Sequence, residues 1–472
     1  MPPSSDHTPN NPLNGFPDGF LWGAASAAYQ VEGATDAGGR GESVWDAFAA
    51  KLGAVKRGET GEIACRHYDM YLQDVDLLSQ LGVGAYRMSI AWPRIIPEGT
   101  GTPSAEGIAF YDRLIDALLE RGVQPWCTLY HWDMPEALFR RGGWLNREAA
   151  DWFADYAAII ADRFSDRVSH WMTLNEPQVY IHHGHVDGIH APGMKYDTPQ
   201  VIAVCHNSLL AHGRAVQALR SFARSNPTIG WAPVGETRIP ASDRQEDVDA
   251  ARADMFAVQD RHGWVFNNTW FSDPAVLGHY PEDGLAIYGK HLPKEYERDL
   301  ETIRQPIDFY GVNIYQAPMV RAGVNGPEIV ARHTGYPTTR FGWPVCPEAL
   351  YWGPKLIYER YKLPVYITEN GLASMDWVGV DGAVRDSARV DFLTRYLCAL
   401  RDAIRDGTDA RGYFHWSIMD NFEWGEGYEM RFGLVYVDYP TGDRVPKSSY
   451  WWYRDTIQRN GAELPTDLAA LR

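Results

Sequence analysis

Paired cysteine is the first thing this chain does without. Its 472 residues include five cysteines, at positions 65, 127, 205, 346 and 398. The number is odd and no two stand in C-x-x-C spacing, so a disulfide framework is excluded. Cys127 falls in an expected strand, and Cys205 and Cys398 in expected helices. All five therefore read as small core residues in a reducing compartment, which makes the cytoplasm the expected address. Positive charge is also short: 44 Lys and Arg face 61 Asp and Glu, a formal net charge of −17. That balance excludes nucleic-acid backbones and anionic membrane surfaces as partners. No apolar run approaches the roughly 18 residues of a membrane span. The opening MPPSSDHTPNNPLNG carries neither the basic nor the apolar segment of a signal peptide. Residues 1–15 read instead as a flexible polar arm. Neither G-x-G-x-x-G nor G-x-x-x-x-G-K-[ST] occurs, so nucleotide cofactors have no support. No linker, low-complexity segment or charge block interrupts residues 16–472, which read as a single domain.

What the chain does hold is aromatic surface: 18 Trp and 26 Tyr, with 45% hydrophobic and 22% charged residues overall. Those proportions are those of a soluble globular protein with a large core. Flat rings with a polar handle also suit the C–H faces and hydroxyl edges of sugars. Short β-type runs recur at 20–25 (FLWGAA), 85–90 (AYRMSI), 124–130 (QPWCTLY) and 170–174 (HWMTL). They continue at 228–233 (TIGWAP), 308–313 (DFYGVN), 365–368 (VYIT) and 412–416 (GYFHW). Between them lie helical patterns with apolar residues every third or fourth position, at 68–81, 107–121, 147–164, 201–222, 347–361 and 389–406. Eight strands alternating with helices and no internal boundary predict an α/β fold, a single (β/α)8 barrel.

A barrel gathers chemistry at the C-terminal ends of its strands, and the unusual polar residues fall there. Glu176 follows the fourth strand in TLNEP, Glu369 the seventh in YITENG, and His131 the third in YHWDMP. Asn313 and Tyr315 end the sixth, Trp416 the eighth, Gln30 closes the loop after the first, and Arg87 lies near the end of the second. Asn-Gly after Glu369 could simply mark a turn with a solvated carboxylate at its edge. Two carboxylates at strand ends across one barrel instead form the minimum apparatus for cleaving a glycosidic bond. One must hold a proton for the leaving oxygen and the other must be ionised. Arg87 and Tyr315 are placed to keep Glu369 charged. Glu176, between Asn175 and Pro177 with Trp132 and Trp171 near in sequence, would have its pKa raised by apolar surroundings and a like charge. Glu369 is therefore read as nucleophile and Glu176 as acid/base.

The ordered motifs FLWGAASAAYQVEG, YRMSIAWPRI, LYHWDMP, TLNEP, GVNIY, YITENG, HWSIMDNFEW and GYEMRFGLVYVDY resemble glycoside hydrolase family 1, the β-glucosidase family, from about residue 16 to 455. The resemblance implies a retaining double displacement on unphosphorylated β-glucosides, extending to β-galactosides and β-fucosides, with cellobiose and aryl or alkyl glycosides as substrates. It implies that Gln30, His131, Asn175, Glu423 and Trp424 bind sugar hydroxyls and that Trp416 forms a stacking floor. Asn313 and Tyr315 would support the two glutamates, and Trp343 would line the aglycone side. No cofactor or metal is implied. Members that cleave 6-phosphorylated sugars replace the Glu-Trp of FEW and carry a Lys nearby. Here Glu423 and Trp424 are intact and Arg431 occupies the following stretch, so a 6-phospho-β-glucosidase is the weaker alternative. A non-catalytic sugar-binding protein on this scaffold would have lost one glutamate, and neither is lost. A metal-dependent barrel hydrolase would need His-x-His after the first strand, where Tyr29 and Gln30 stand.

The loop YIHHGHVDGIHAPG departs from the family pattern in carrying His182, His183 and His185. With no two on one helical face and no carboxylate partner evident, they read as rim contacts or structure rather than as zinc ligands. Asp133 and Asp420 read as residues that hold loops. A homo-oligomer is compatible with all of this, and the sequence leaves the oligomeric state open.

Overall fold

The computed structural model describes residues 15–466, so the arm expected over 1–15 lies outside the described residues except for Gly15. Eight parallel strands form the centre: β1 (Leu21–Ala25), β2 (Ala85–Ser89), β3 (Gln124–Tyr130), β4 (His170–Asn175), β5 (Thr228–Ala232), β6 (Tyr310–Asn313), β7 (Val365–Asn370) and β8 (Ala410–Trp416). The ladder runs β5-β4-β3-β2-β1-β8-β7-β6, with β1 beside β8 from Leu21↔Gly412 to Ala25↔Trp416. The remaining seam, β5 against β6, is closed by single backbone bonds. Asp308 N–H donates to Ile229 O (2.6 Å), Asn313 N–H to Pro233 O (3.1 Å) and Gly235 N–H to Asn313 O (2.8 Å). The sheet is thus a nearly closed (β/α)8 barrel.

The helices that follow the strands are α1 (His67–Leu81), α2 (Ala105–Glu120), α3 (Ala149–Phe164), α4 (Thr198–Phe222), α5 (Tyr296–Ile303), α6 (Ala349–Tyr361), α7 (Ser387–Arg405) and α8 (Ser448–Gln458). Helix α3 shows why they form. Its apolar residues Phe153, Tyr156, Ala157, Ile160, Ala161 and Phe164 recur at three- and four-residue spacing and are buried. The Tyr156 hydroxyl bonds to Ile90 O (2.8 Å) and Leu129 O (3.2 Å) just past β2 and within β3. Truncating Phe153 to Ala would cost about 3–5 kcal/mol, lost transfer and cavity terms together. Helix α4 starts at a capping box, Asp197 with Gln200.

Residues alternate along each strand between the helices and the barrel interior. The interior is filled by Trp126, Met172, Phe309, Tyr366 and Phe414; the Trp126 ring stacks on His170 at 4.2 Å and meets Tyr366 at 4.9 Å and Phe414 at 5.1 Å. This aromatic plug closes the lower barrel, leaving polar side chains at the C-terminal ends to face open space. Between β5 and α6 the chain adds a small sheet (Ile239–Pro240, Met319–Gly323, Gly326–Val330) and a helix, Gln245–Phe256, neither of which the sequence periodicity foretold.

Candidate active site

The alternation rule would turn Glu369 outward, since Tyr366 points into the barrel and Ile367 packs against the outer core. A bulge overrides it. Along β6 the partners run Ile367↔Val312 and then Glu369↔Asn313, skipping Thr368. Thr368 and Glu369 therefore share one rung, and the carboxylate swings to the face that Asn313 occupies. The Asn-Gly that could have been a turn is not one: Asn370 is still in β7. Its side chain donates to Ile314 O (2.8 Å) and accepts from the Tyr413 hydroxyl (2.8 Å). Gly371 is required by close approach, because a Cβ there would sit 1.9 Å from Trp416 O. That contact draws the ends of β7 and β8 together beside the carboxylate.

Glu176 is placed by a different device. Residue 177 is proline at the first position of a short helix, Pro177–His185, and Glu176 takes left-handed backbone (φ 45°, ψ 63°) to join β4 to it. Trp132 (φ 79°) and Trp424 (φ 53°) are strained in the same sense. Such residues cost roughly 1–3 kcal/mol each and gather at functional sites. Here all three line one cavity of about 520 Å³, a size that suits a small ligand. His131, Asn313, Tyr315, Trp343, Glu369, Trp416 and Glu423 line it too.

One hydrogen-bond network surrounds Glu369. Arg87, fully buried on β2, donates to Glu369 (2.5 Å), to Thr368 O (3.1 Å) and to Asn175 Oδ1 (2.6 Å). The Tyr315 hydroxyl donates to the other Glu369 oxygen (2.8 Å). Asn313 donates to Asn175 Oδ1 (3.0 Å), accepts from Thr368 (2.6 Å), and acts to lower the pKa of both Glu176 and Glu369. With Asn175 Oδ1 taking two donors, its amide nitrogen is the donor to His131 Nε2 (3.0 Å), which puts the ring proton on Nδ1. His131 is neutral: burial, then the Arg87 charge, pushes its pKa well down. Gln30 donates to Glu423 (3.2 Å), Asn421 Oδ1 (3.1 Å) and Phe422 O (3.0 Å). Gln30, Asn175 and Arg87 thus stand one contact behind the lining, and the residues the sequence assigned to catalysis and sugar binding all lie in or against this cavity.

Burial raises the pKa of both central glutamates; at Glu369 it is opposed first by Arg87 and then by Tyr315, the two groups expected to favour its charged form, which offset part of the desolvation. The asymmetry survives. Glu176 is pushed well up by burial and then by the negative charge of Glu369, with Asn313 and Arg87 pulling the other way. Glu423 rises to about 8, first by burial and next by the Glu369 charge. Five glutamates (176, 236, 369, 423, 426) and no Lys or Arg line the cavity. Arg431 is engaged elsewhere, paired to Asp420 (2.6 Å) and stacked over Tyr436.

Asp420 holds its loop as expected, accepting from Arg431, Lys447 (2.6 Å) and Gly433 N–H (2.9 Å). Asp133 does not. Both its oxygens are buried without a partner, and burial lifts it to about 8. His183 lines the cavity mouth, as the loop reading expected, whereas His185 turns away to Tyr180 O (3.0 Å). The absent carboxylate partner is present after all: Asp187 meets His183 Nδ1 at 2.8 Å. Sequence reasoning missed Glu236, Phe266, Phe341, Glu426 and Phe432, lining residues on irregular segments where periodicity gives no signal.

The family model for glycosyl hydrolase family 1 matches residues 13–462. β-Glucosidase A of Thermotoga maritima is 45% identical over 95% of this chain and 99% of its own length. A bifunctional β-D-glucosidase/β-D-fucosidase of Bifidobacterium breve is 40% identical over 95% of this chain and 99% of its own. The structure of the Thermotoga maritima β-glucosidase in complex with glucoimidazole superposes with a TM-score of 0.87 at 44% identity, covering 95% of this chain and all of that one. With the barrel, the paired glutamates and a family match across nearly its whole length, the chain belongs to glycosyl hydrolase family 1.

Proposed function

We propose that this protein is a retaining β-glucosidase that removes terminal β-D-glucosyl residues, with Glu369 as nucleophile and Glu176 as acid/base. One observation carries the assignment: two buried carboxyls share one cavity, and Arg87 and Tyr315 bond to only one of them. In the first step Glu369 attacks the anomeric carbon and forms the C–O bond of a glycosyl-enzyme. The C–O bond to the aglycone breaks, and Glu176 gives its proton to the departing oxygen. In the second step Glu176, now a carboxylate, takes a proton from water. The water oxygen bonds to the anomeric carbon and Glu369 leaves. Net retention follows from the two inversions.

Gln30, His131, Asn175, Glu423 and Trp424 would bind the sugar hydroxyls, with Trp416 beneath the ring and Trp343 on the aglycone side. β-Galactosides and β-fucosides fit the same hydroxyl partners; the Bifidobacterium relative is named for β-D-fucosidase activity as well. Cellobiose and aryl glucosides are the expected substrates. Five lining glutamates without a Lys or Arg weigh against a 6-phosphorylated sugar. The five buried free cysteines support a reducing compartment, the cytoplasm. Among the described residues no helix is long and apolar enough to cross a membrane.

Azide rescue tests the roles. Glu369→Ala should abolish turnover and regain it with azide, giving the α-glucosyl azide; Glu176→Ala, on an activated aryl glucoside, should give the β-azide. The reverse pairing of products would overturn the assignment.

A further inference from the structure

His182 is buried, 4% exposed, yet among the described residues neither of its ring nitrogens makes a hydrogen bond. Nδ1 is enclosed without a partner, and Nε2 stands 3.6 Å from Asp187 Oδ2, too long for a bond. A buried imidazole left in that condition calls for an explanation. The same Asp187 oxygen lies 2.8 Å from His183 Nδ1, and the three atoms are all within 4.8 Å of one another. A tetrahedral zinc ion with bonds of about 2.0–2.2 Å has ligand-to-ligand edges of about 3.3–3.5 Å. The cluster straddles that figure, so small side-chain rotations would close it on one ion.

From this geometry we infer a divalent transition-metal site, of the zinc class, formed by His182 Nε2, His183 Nδ1 and Asp187 Oδ2 at the mouth of the substrate cavity. Two imidazoles and one carboxylate are a borderline-soft set that favours zinc over calcium or magnesium. The chain builds it in an unusual way. His182 and His183 are neighbours near the end of the Pro177–His185 helix, and the chain then curls so that Asp187 N–H donates back to His182 O (3.1 Å). Asp187 Oδ1 accepts from Ile189 N–H (3.2 Å), which fixes the carboxylate and leaves Oδ2 for the ion. The exposed His262, whose ring is 5.6 Å from that of His182, stands beside the cluster but outside its converging atoms, so water takes the fourth position. His183 lines the cavity mouth, so an ion there sits where a leaving aglycone passes.

The site is separate from the two glutamates, so its failure and the failure of the hydrolase reading are distinguishable. Equilibrium dialysis of the EDTA-treated full chain against ZnCl2 should retain one ion per chain. Asp187→Asn and His183→Gln should each weaken binding at least 10-fold, while His333→Gln, remote and exposed, leaves it unchanged. Circular dichroism melts report whether each variant is folded, and hydrolysis of p-nitrophenyl β-D-glucoside without zinc should persist in Asp187→Asn, whose side chain is not part of the cavity lining. Zinc retained equally by folded Asp187→Asn and His183→Gln, or not retained by the unaltered protein, would overturn the inference.

Discussion

Replacing Tyr315 by Phe isolates one bond in the site. The hydroxyl donates to Glu369 at 2.8 Å and does nothing else for that carboxyl's surroundings. The ring itself stays, packed against Trp343 (5.4 Å) and Phe432 (6.0 Å), and its backbone carbonyl remains held by the Tyr396 hydroxyl (3.1 Å). A hydrogen bond to an ionised group contributes about 1.5–3 kcal/mol. Each pKa unit is about 1.4 kcal/mol, so losing the bond should raise the Glu369 pKa by about 1–2 units, since it favours the ionised form. The acid limb of kcat/KM reports the free enzyme's base. For p-nitrophenyl β-D-glucoside that limb should therefore move about 1–2 pH units to higher pH, while the alkaline limb, set on this reading by Glu176, moves far less. Arg87 remains on Glu369, so activity at the plateau should persist. An acid limb that stays in place or moves to lower pH would refute the idea that Tyr315 supports an ionised Glu369.

Glu423→Gln should flatten the alkaline loss of stability. Glu423 is raised from 4.5 to about 8, so its contribution is full below pH 4.5 and lost as pH rises through about 8; melting temperatures of the two proteins should diverge in the variant's favour across that window, and parallel curves would exclude it. Arg94→Met should destabilise the fold by about 3–5 kcal/mol, because it strands the buried Glu32, which accepts from Arg94 Nε at 2.8 Å and the Tyr111 hydroxyl at 2.5 Å. A denaturation midpoint unchanged from the unaltered protein would contradict that. Trp343→Ala should lower kcat/KM for aryl glucosides by roughly 2- to 12-fold through lost ring contact and leave methyl β-D-glucoside nearly unaffected; equal losses on both would remove Trp343 from the aglycone side.

Barrel strands are legible in the sequence because both faces are buried. All eight expected runs become strands, and the six helical patterns become helices with ends shifted by three residues or fewer. Apolar spacing suffices where an element packs on one long surface. It fails between β5 and α6. Ile239 pairs with Met319 and Met319 with Val330, so those short strands exist only because distant segments meet. The helix Gln245–Phe256 mixes its polar and apolar residues and shows no clean stripe. The site was legible for a separate reason, carboxylates and amides placed where strands end. The means of aiming them was not: a bulge at Thr368 and left-handed backbone at Glu176 leave no mark in residue type, since neither uses glycine. Asp187 was invisible for the same reason, as its approach to His183 depends on how the chain turns after a helix.

The placement of charge explains how one residue type could serve the two roles proposed for Glu369 and Glu176. Glu176 and Glu369 are buried and Glu423 is half-buried, and desolvation by itself favours three neutral acids. Only Glu369 bonds to a cation, so it is the carboxyl that can ionise at least cost, and its charge then raises the other two. Burial raises Glu176 first, and the charge that Arg87 helps Glu369 to carry raises it further. On the proposed roles, the local burial of Glu176 is sharpened into an asymmetry from β2, which carries the Arg87 guanidinium to the far glutamate and to Asn175 at once.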